Sequence, residues 1–241
     1  SDLFFKSSGF NTTPCKSLLS MITKSLPRPF ILINLILTLP FKLFLTLNLD
    51  KKYSFLFDKH LKNEYVCFDC ETTGLDPKID DIISIGAVII KENTIVSSKK
   101  FVRYIKPKNC SLDEKSIKIH HIRECDLKNG CEIEDVILEF LEFIGNRTLV
   151  GYFLDFDKNM INKYLKPLLG ITLPNRSIEV SEIYHDFKIE LIPQSFIDLK
   201  FKTIVNDLDI PEFGNHDSYN DAIMTAMIFL KLKNHPNVKI K

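Results

Sequence analysis

Residues 64–77, EYVCFDCETTGLDP, are the stretch on which the reading of the whole chain turns. Their first half is an apolar and aromatic run that reads as a buried strand ending at Asp69, and residues 74–81, with Pro77 and paired Asp residues, read as a turn. Asp69 and Glu71 stand two apart at the strand's end. On an extended chain such side chains point to the same face, so two carboxylates converge there. Like charges that close resist ionisation unless a cation sits between them. Hard divalent ions such as Mg²⁺ and Mn²⁺ choose carboxylate oxygens, which makes the pair a better cup for them than for zinc. Taken alone, an Asp-x-Glu is more often a solvated strand end.

Working outward, IISIGAVII (82–90) and TIVSSKKFVRYI (94–105) are β-branched runs on either side of KEN, a hairpin pattern. A helix is expected around 113–118. A second is expected over 132–144, where Ile133, Val136, Ile137, Phe140, Leu141 and Ile144 recur at helical spacing. TLVGYF (148–153) reads as a fourth strand, 158–169 as a helix and 177–180 as a short fifth strand, with further helices ending in 218–232. The order β-β-β-α-β-α-β-α describes an α/β fold with a mixed sheet covered by helices.

The 241 residues are 45% apolar and 26% charged, which excludes a wholly disordered or collagen-like chain and leaves room for a real core. A formal net charge of +1 argues, taken whole, against a nucleic-acid partner. Residues 1–63, however, hold nine Lys/Arg against three acids, a formal +6, which leaves −5 for the remainder. The expected organisation is a basic, apolar and mostly helical N-terminal extension (1–63), a domain (64–233) and a short tail (234–241). Residues 29–48 approach the roughly 20 apolar residues of a membrane span, but Pro40 and Lys42 interrupt them. Short helices packed on the body or on a partner are the expected form, with membrane contact as the alternative. Six cysteines include a CxxC at Cys67 and Cys70, inside a strand-like run and with no second pair at zinc spacing. They read as reduced structural thiols, in keeping with a cytoplasmic protein.

FDCETTGLDP (68–77) resembles the first motif of the DEDDh 3′-to-5′ exonucleases, the family containing the bacterial DNA polymerase III epsilon subunit and ribonuclease T. GYFLDFDKNMI (151–161) resembles the second motif, Gly-His-Asn-x-x-Phe-Asp, and its Phe156-Asp157 pair aligns Asp157 with the motif's Asp in preference to the neighbouring Asp155. Tyr152-Phe153 stand where the family has His-Asn. HDSYNDA (216–222) resembles the third motif, His-x4-Asp, with Asp217 reading as the N-cap of the last helix. IHHI (119–122) resembles a family loop that carries a substrate-side His at His120.

The resemblance spans about 64–233 and implies a ribonuclease H-like, five-stranded mixed sheet flanked by helices. It implies two divalent ions, Mg²⁺ or Mn²⁺, held by Asp69, Glu71, Asp157 and Asp221. His216 is implied as general base, with Glu71 helping to orient the attacking water. Thr72, Thr73, Gly74, Leu75, His120 and Phe153 fall on the substrate side. The implied activity is 3′-to-5′ exonucleolytic hydrolysis of single-stranded or frayed 3′ ends, DNA favoured over RNA, releasing nucleoside 5′-monophosphates in proofreading or repair. A DNA polymerase subunit is the implied partner. The alternatives are an exoribonuclease of ribonuclease T type, and a protein that docks a polymerase or membrane through residues 1–63. An acidic body suits this chemistry, because bound cations invert the sign of a carboxylate site.

Overall fold

A computed structural model describes residues 51–108, 117, 121–192, 196–214 and 217–238. A 3₁₀ turn, Lys51–Phe57, leads into β1 (Glu64–Thr72), β2 (Ile82–Lys91) and β3 (Thr94–Tyr104). Then come α1 (Glu124–Leu127), α2 (Ile133–Ile144), β4 (Thr148–Gly151), α3 (Leu154–Leu169), β5 (Ser177–Glu179), α4 (Val180–Leu191), α5 (Phe201–Asp207) and α6 (Ser218–Lys233). The five strands form one sheet in the order β3-β2-β1-β4-β5. β1, β2 and β3 pair antiparallel, whereas β4 joins β1, and β5 joins β4, in parallel. This is the expected mixed sheet flanked by helices. The expected helices of residues 1–50, and the one around 113–118 apart from residue 117, lie outside the described residues. Among the described residues, no helix is long and apolar enough to cross a membrane.

Period-two alternation on β1 divides the core. Val66, Phe68 and Cys70 face one cluster with α2 and α3, which Tyr53 and Leu56 of the 3₁₀ turn also join. Tyr65 and Cys67 face a second cluster beneath α4, α5 and α6. The two thiols of the CxxC, three residues apart on a strand, therefore point to opposite faces and are free, buried side chains. Asp69 and Glu71 continue the α6 face.

The register of β2 explains how α6 reaches them. Gly86 pairs with Asp69, and Ser84 with Glu71. A Cβ on Gly86 would lie 2.2 Å from the Tyr219 amide nitrogen and 2.3 Å from the Ser218 carbonyl carbon, so the first turn of α6 rests on bare strand backbone. Beside it, the buried hydroxyls of Ser84 and Ser218 satisfy each other at 2.8 Å. Asp217 caps the helix as expected, accepting from the Tyr219 and Asn220 amides at 3.1 and 3.0 Å.

Several element boundaries differ from expectation, among them β4, which ends at Gly151 and leaves Tyr152 and Phe153 outside the strand. β1 runs on to Thr72, so both acids lie within the strand. α3 starts at Leu154, four residues before the expected Lys158, although Phe153 at its N-cap has no side-chain acceptor. A distant carboxylate replaces the missing cap: Glu179 accepts from the Leu154 amide at 2.8 Å, and its other oxygen accepts from the Ser181 amide and hydroxyl at the start of α4.

Gly86→Ala is expected to lower stability by about 1–3 kcal/mol through overpacking of the α6 seat. Urea unfolding monitored by circular dichroism measures this, and an unchanged midpoint would contradict the close contact.

Candidate active site

The seat of α6 delivers Asp221, in the helix's first turn, to the edge of β1. One carboxylate oxygen from each of Asp69, Glu71 and Asp221 lies within 4.8 Å of the others. The fourth acid arrives from the opposite side of the strand. Asp157, in the first turn of α3 and 4% exposed, accepts from the Cys70 amide, between the two β1 acids, at 3.1 Å. Its rival Asp155 is exposed on the same turn. The structure thus brings together all four carboxylates expected from the motifs.

Their electrostatics are those of a crowded anionic cluster. Burial raises the Asp69 carboxyl well above its ordinary range, with Asp157, Glu71 and Asp221 adding repulsion. Burial also pushes Glu71 up to about 7, helped by Asp221 and Asp217. Asp157 is raised by burial, against the opposing pull of its hydrogen bond from Cys70. Such a donor set, hard oxygens only and rich in carboxylates, can accept divalent cations of the Mg²⁺ type.

The segment after β1 is wired to itself and to α3. The Thr72 hydroxyl donates to the Gly74 carbonyl at 2.7 Å, and the Thr73 hydroxyl donates to Asp80 Oδ1 at 3.1 Å. Asp80 Oδ2 accepts from the Asp76 amide at 2.8 Å. A Cβ at Gly74 would sit 2.6 Å from the Asp80 carboxylate, which explains the glycine. Asp81, 5% exposed, is the anchor: its carboxylate accepts from Tyr164 Oη at 2.7 Å, Lys163 Nζ at 3.1 Å and the Lys108 amide at 3.1 Å. The loop that follows Glu71 is thereby braced against the helix that carries Asp157, leaving Leu75 85% exposed at its tip.

The two residues that stand in place of His-Asn have separate fates. Tyr152 turns away to donate from its hydroxyl to the Leu199 carbonyl at 3.0 Å and to pack on Phe201. Phe153 is 62% exposed and held in the left-handed region at φ 53°, a backbone conformation uncommon for a bulky residue. His216 and His120 lie outside the described residues, while His121 is exposed with φ 56°.

Sequence reasoning missed Ser84, Gly86, Asp81 and Glu179. The small residues of IISIGAV, set among β-branched ones, were the available signal for the first two. The partners of Asp81 and Glu179 are too distant in sequence to leave one.

The RNase_T exonuclease family model matches residues 66–229, which contain all four carboxylates. The chain belongs to this exonuclease family. Among its relatives, the DNA polymerase III subunit epsilon of Aquifex aeolicus is 31% identical over 178 residues, covering 73% of this chain and 83% of the relative. The PolC-type DNA polymerase III of Thermotoga petrophila is 32% identical over 176 residues, again 73% of this chain but 12% of the relative's length, so this exonuclease spans only a small part of such polymerases. The fold is similar to that of cell-death related nuclease 4, with a TM-score of 0.64 at 17% identity, covering 75% of this chain and 66% of the other. It is also similar to that of E. coli exonuclease I in complex with a dT13 oligonucleotide, with a TM-score of 0.62 at 14% identity and coverages of 72% and 41%.

Between the ordinary Glu71 value of 4.5 and about 7, the folded exonuclease binds more protons than the unfolded chain, so its stability without metal falls as pH rises through that window. Cations that displace those protons act more strongly at higher pH. Mg²⁺ is therefore expected to raise the melting temperature more at pH 8 than at pH 6, relative to EDTA controls in differential scanning fluorimetry. Equal increments would contradict a proton-holding cluster.

Asp81→Ala strands the Tyr164 hydroxyl and is expected to cost about 1–3 kcal/mol. Chemical denaturation tests this, and a cost near zero would remove Asp81 as the anchor.

Proposed function

We propose that the chain is a metal-dependent 3′-to-5′ exonuclease that hydrolyses DNA from its 3′ ends, releases nucleoside 5′-monophosphates, and serves proofreading or repair beside a polymerase. The observation that carries this reading is the approach of Asp69, Glu71 and Asp221 within 4.8 Å, with Asp157 bonded to the strand between the first two, in a member of an exonuclease family. Membership alone leaves open whether the site is intact, and the four clustered carboxylates support an intact one. The names of the epsilon and PolC-type relatives, and the oligonucleotide complex of the E. coli neighbour, support DNA and a polymerase partner.

Asp69, Glu71, Asp157 and Asp221 would hold two Mg²⁺ or Mn²⁺ ions. When bound, such ions supply positive charge that offsets the phosphate's own and the charge that grows on it in the transition state. The protein's residues do the rest. His216 directly precedes the Asp217 cap of α6, and its imidazole, whose reference pKa lies near neutrality, accepts a proton from the attacking water. Glu71, braced in β1, helps to orient that water. Thr72, Thr73 and Gly74 form a wired backbone edge for the terminal nucleotide, with Leu75, Phe153 and His120 against its base and sugar. Exposed apolar and aromatic surfaces such as Leu75 and Phe153 grip bases without regard to sequence. Residues 64–233 are the catalytic unit in this reading, and residues 1–63 serve contact with a partner.

Release of mononucleotides from 5′-labelled oligo-dT and oligo-U, with Mg²⁺, Mn²⁺ or EDTA, tests the proposal. Stepwise shortening of oligo-dT that stops with EDTA is the expected result. Asp69→Ala is expected to lower the rate at least about 10²-fold, and His216→Ala about 10²- to 10⁴-fold. Activity that survives EDTA or Asp69→Ala would sink the mechanism, and shortening of oligo-U alone would replace DNA by RNA.

A further inference from the structure

We propose that a basic cavity at the far end of β1 binds the phosphate backbone of the nucleic acid whose 3′ end lies among the carboxylates, an inference that rests on the exonuclease reading. The cavity, about 640 Å³ in volume, opens where the chain enters β1 and is bounded by Lys59, His60, Lys62, Tyr65, Arg176 and Lys233. Four cations and a histidine line it, and no carboxylate does so among the described residues. Lys59, Lys62 and Arg176 are exposed and have no ion-pair partner among the described residues. Lys233 is fixed in place, donating to the Glu92 carbonyl at 2.8 Å with its ammonium 4.9 Å from the centre of the Tyr65 ring.

The position suits a strand that continues from the site. Tyr65 precedes Asp69 by four residues on the same face of β1, a separation of about 14 Å at strand rise. Asp221 and Lys233 lie at the two ends of α6, about 18 Å apart at helix rise. In a straight line the cations thus lie about 14–18 Å from the carboxylates, within the length of an oligonucleotide that continues over the surface past the site. Residues 64–241 carry a formal −5, so most of their surface repels a polyanion, and a cavity lined by four cations is where its backbone can rest. Lys59 and Lys62 belong to the basic segment that precedes β1. That segment's own charge makes it a poor occupant of the cavity.

The test compares the full chain with Lys62→Gln/Arg176→Gln, and with Lys59→Gln/Lys62→Gln as a second variant. Turnover with Mg²⁺ is measured on a dT 20-mer and on the dinucleotide pTpT, which cannot reach the cavity. Binding of a fluorescent 20-mer in EDTA is followed by anisotropy across a salt series. Removing two phosphate contacts from a single strand should lower the slope of log K against log salt by about 1.4. kcat/KM should fall about tenfold on the 20-mer while pTpT hydrolysis stays at the wild-type rate. Equal losses on both substrates, or an unchanged slope, would overturn the proposal. So would cavity-dependent binding of polyglutamate in place of the oligonucleotide, which would reassign the cavity to an acidic peptide. Absent turnover together with a reduced slope would sink the exonuclease reading and leave the cavity's affinity standing.

Discussion

Mutual repulsion among Asp69, Glu71, Asp157 and Asp221 is the constraint that the surrounding structure must overcome. The carboxyls of Asp69, Glu71 and Asp157 are pushed upward by burial, and the charged groups acting on Asp69 and Glu71 are other carboxylates. What holds them together is backbone geometry. Gly86 lets the first turn of α6 lie directly on β2. The Ser84–Ser218 pair locks that turn without adding charge, and the Cys70 amide holds Asp157. Hydrogen bonds from backbone amides stabilise a carboxylate in place without cancelling its charge as a lysine would. With no lysine or arginine among the described charges acting most strongly on Asp69 and Glu71, a divalent ion can take the place of their protons.

Elsewhere in the same molecule carboxylates are treated differently, and the contrast is informative. Burial raises the Glu64 carboxyl, but Arg147 and Lys91 outweigh it, so the net effect is a lowered pKa. Asp81 has Lys163 at 3.1 Å and Tyr164 at 2.7 Å. Glu179 is consumed by capping two helices at once. These acids have partners that tie them into the scaffold, whereas Asp69 and Glu71 are crowded by their own kind. Perturbation of that type, in a cluster that geometry also brings together, separates a functional carboxylate from a scaffolding one.

The division explains what could be read in the sequence. Strand alternation around FDCETTG, the β-branched runs of the hairpin and the helical period of residues 133–144 made the sheet legible, because each is a local pattern with one periodicity. Four carboxylates were legible because their motifs are local too. Element ends were less so. β1 outran its apolar run by three residues because β2 continued to pair with it, and α3 began early because its cap comes from Glu179, distant in sequence. Ser84 and Gly86 carry no charge and no periodicity, yet they set where α6 lands. Tyr152 and Phe153, where the family pattern has His-Asn, could not be apportioned from sequence. Only the fold turns one into a tie to Leu199 and leaves the other exposed.

Net charge is the property most changed by being placed in space. A sum of +1 argues against a polyanionic partner only if charge is spread evenly, and here it is segregated twice. Along the chain, a +6 segment precedes a −5 body. Within the fold, β1 carries paired acids in its C-terminal half, while the cations of Lys59, Lys62, Arg176 and Lys233 gather at its beginning. A phosphodiester chain meeting such a surface is repelled over most of it, drawn at the cations, and tolerated among the acids only when divalent ions are present. Affinity and chemistry are then supplied by different ends of one strand, and because α6 covers both ends its docking on Gly86 fixes their separation.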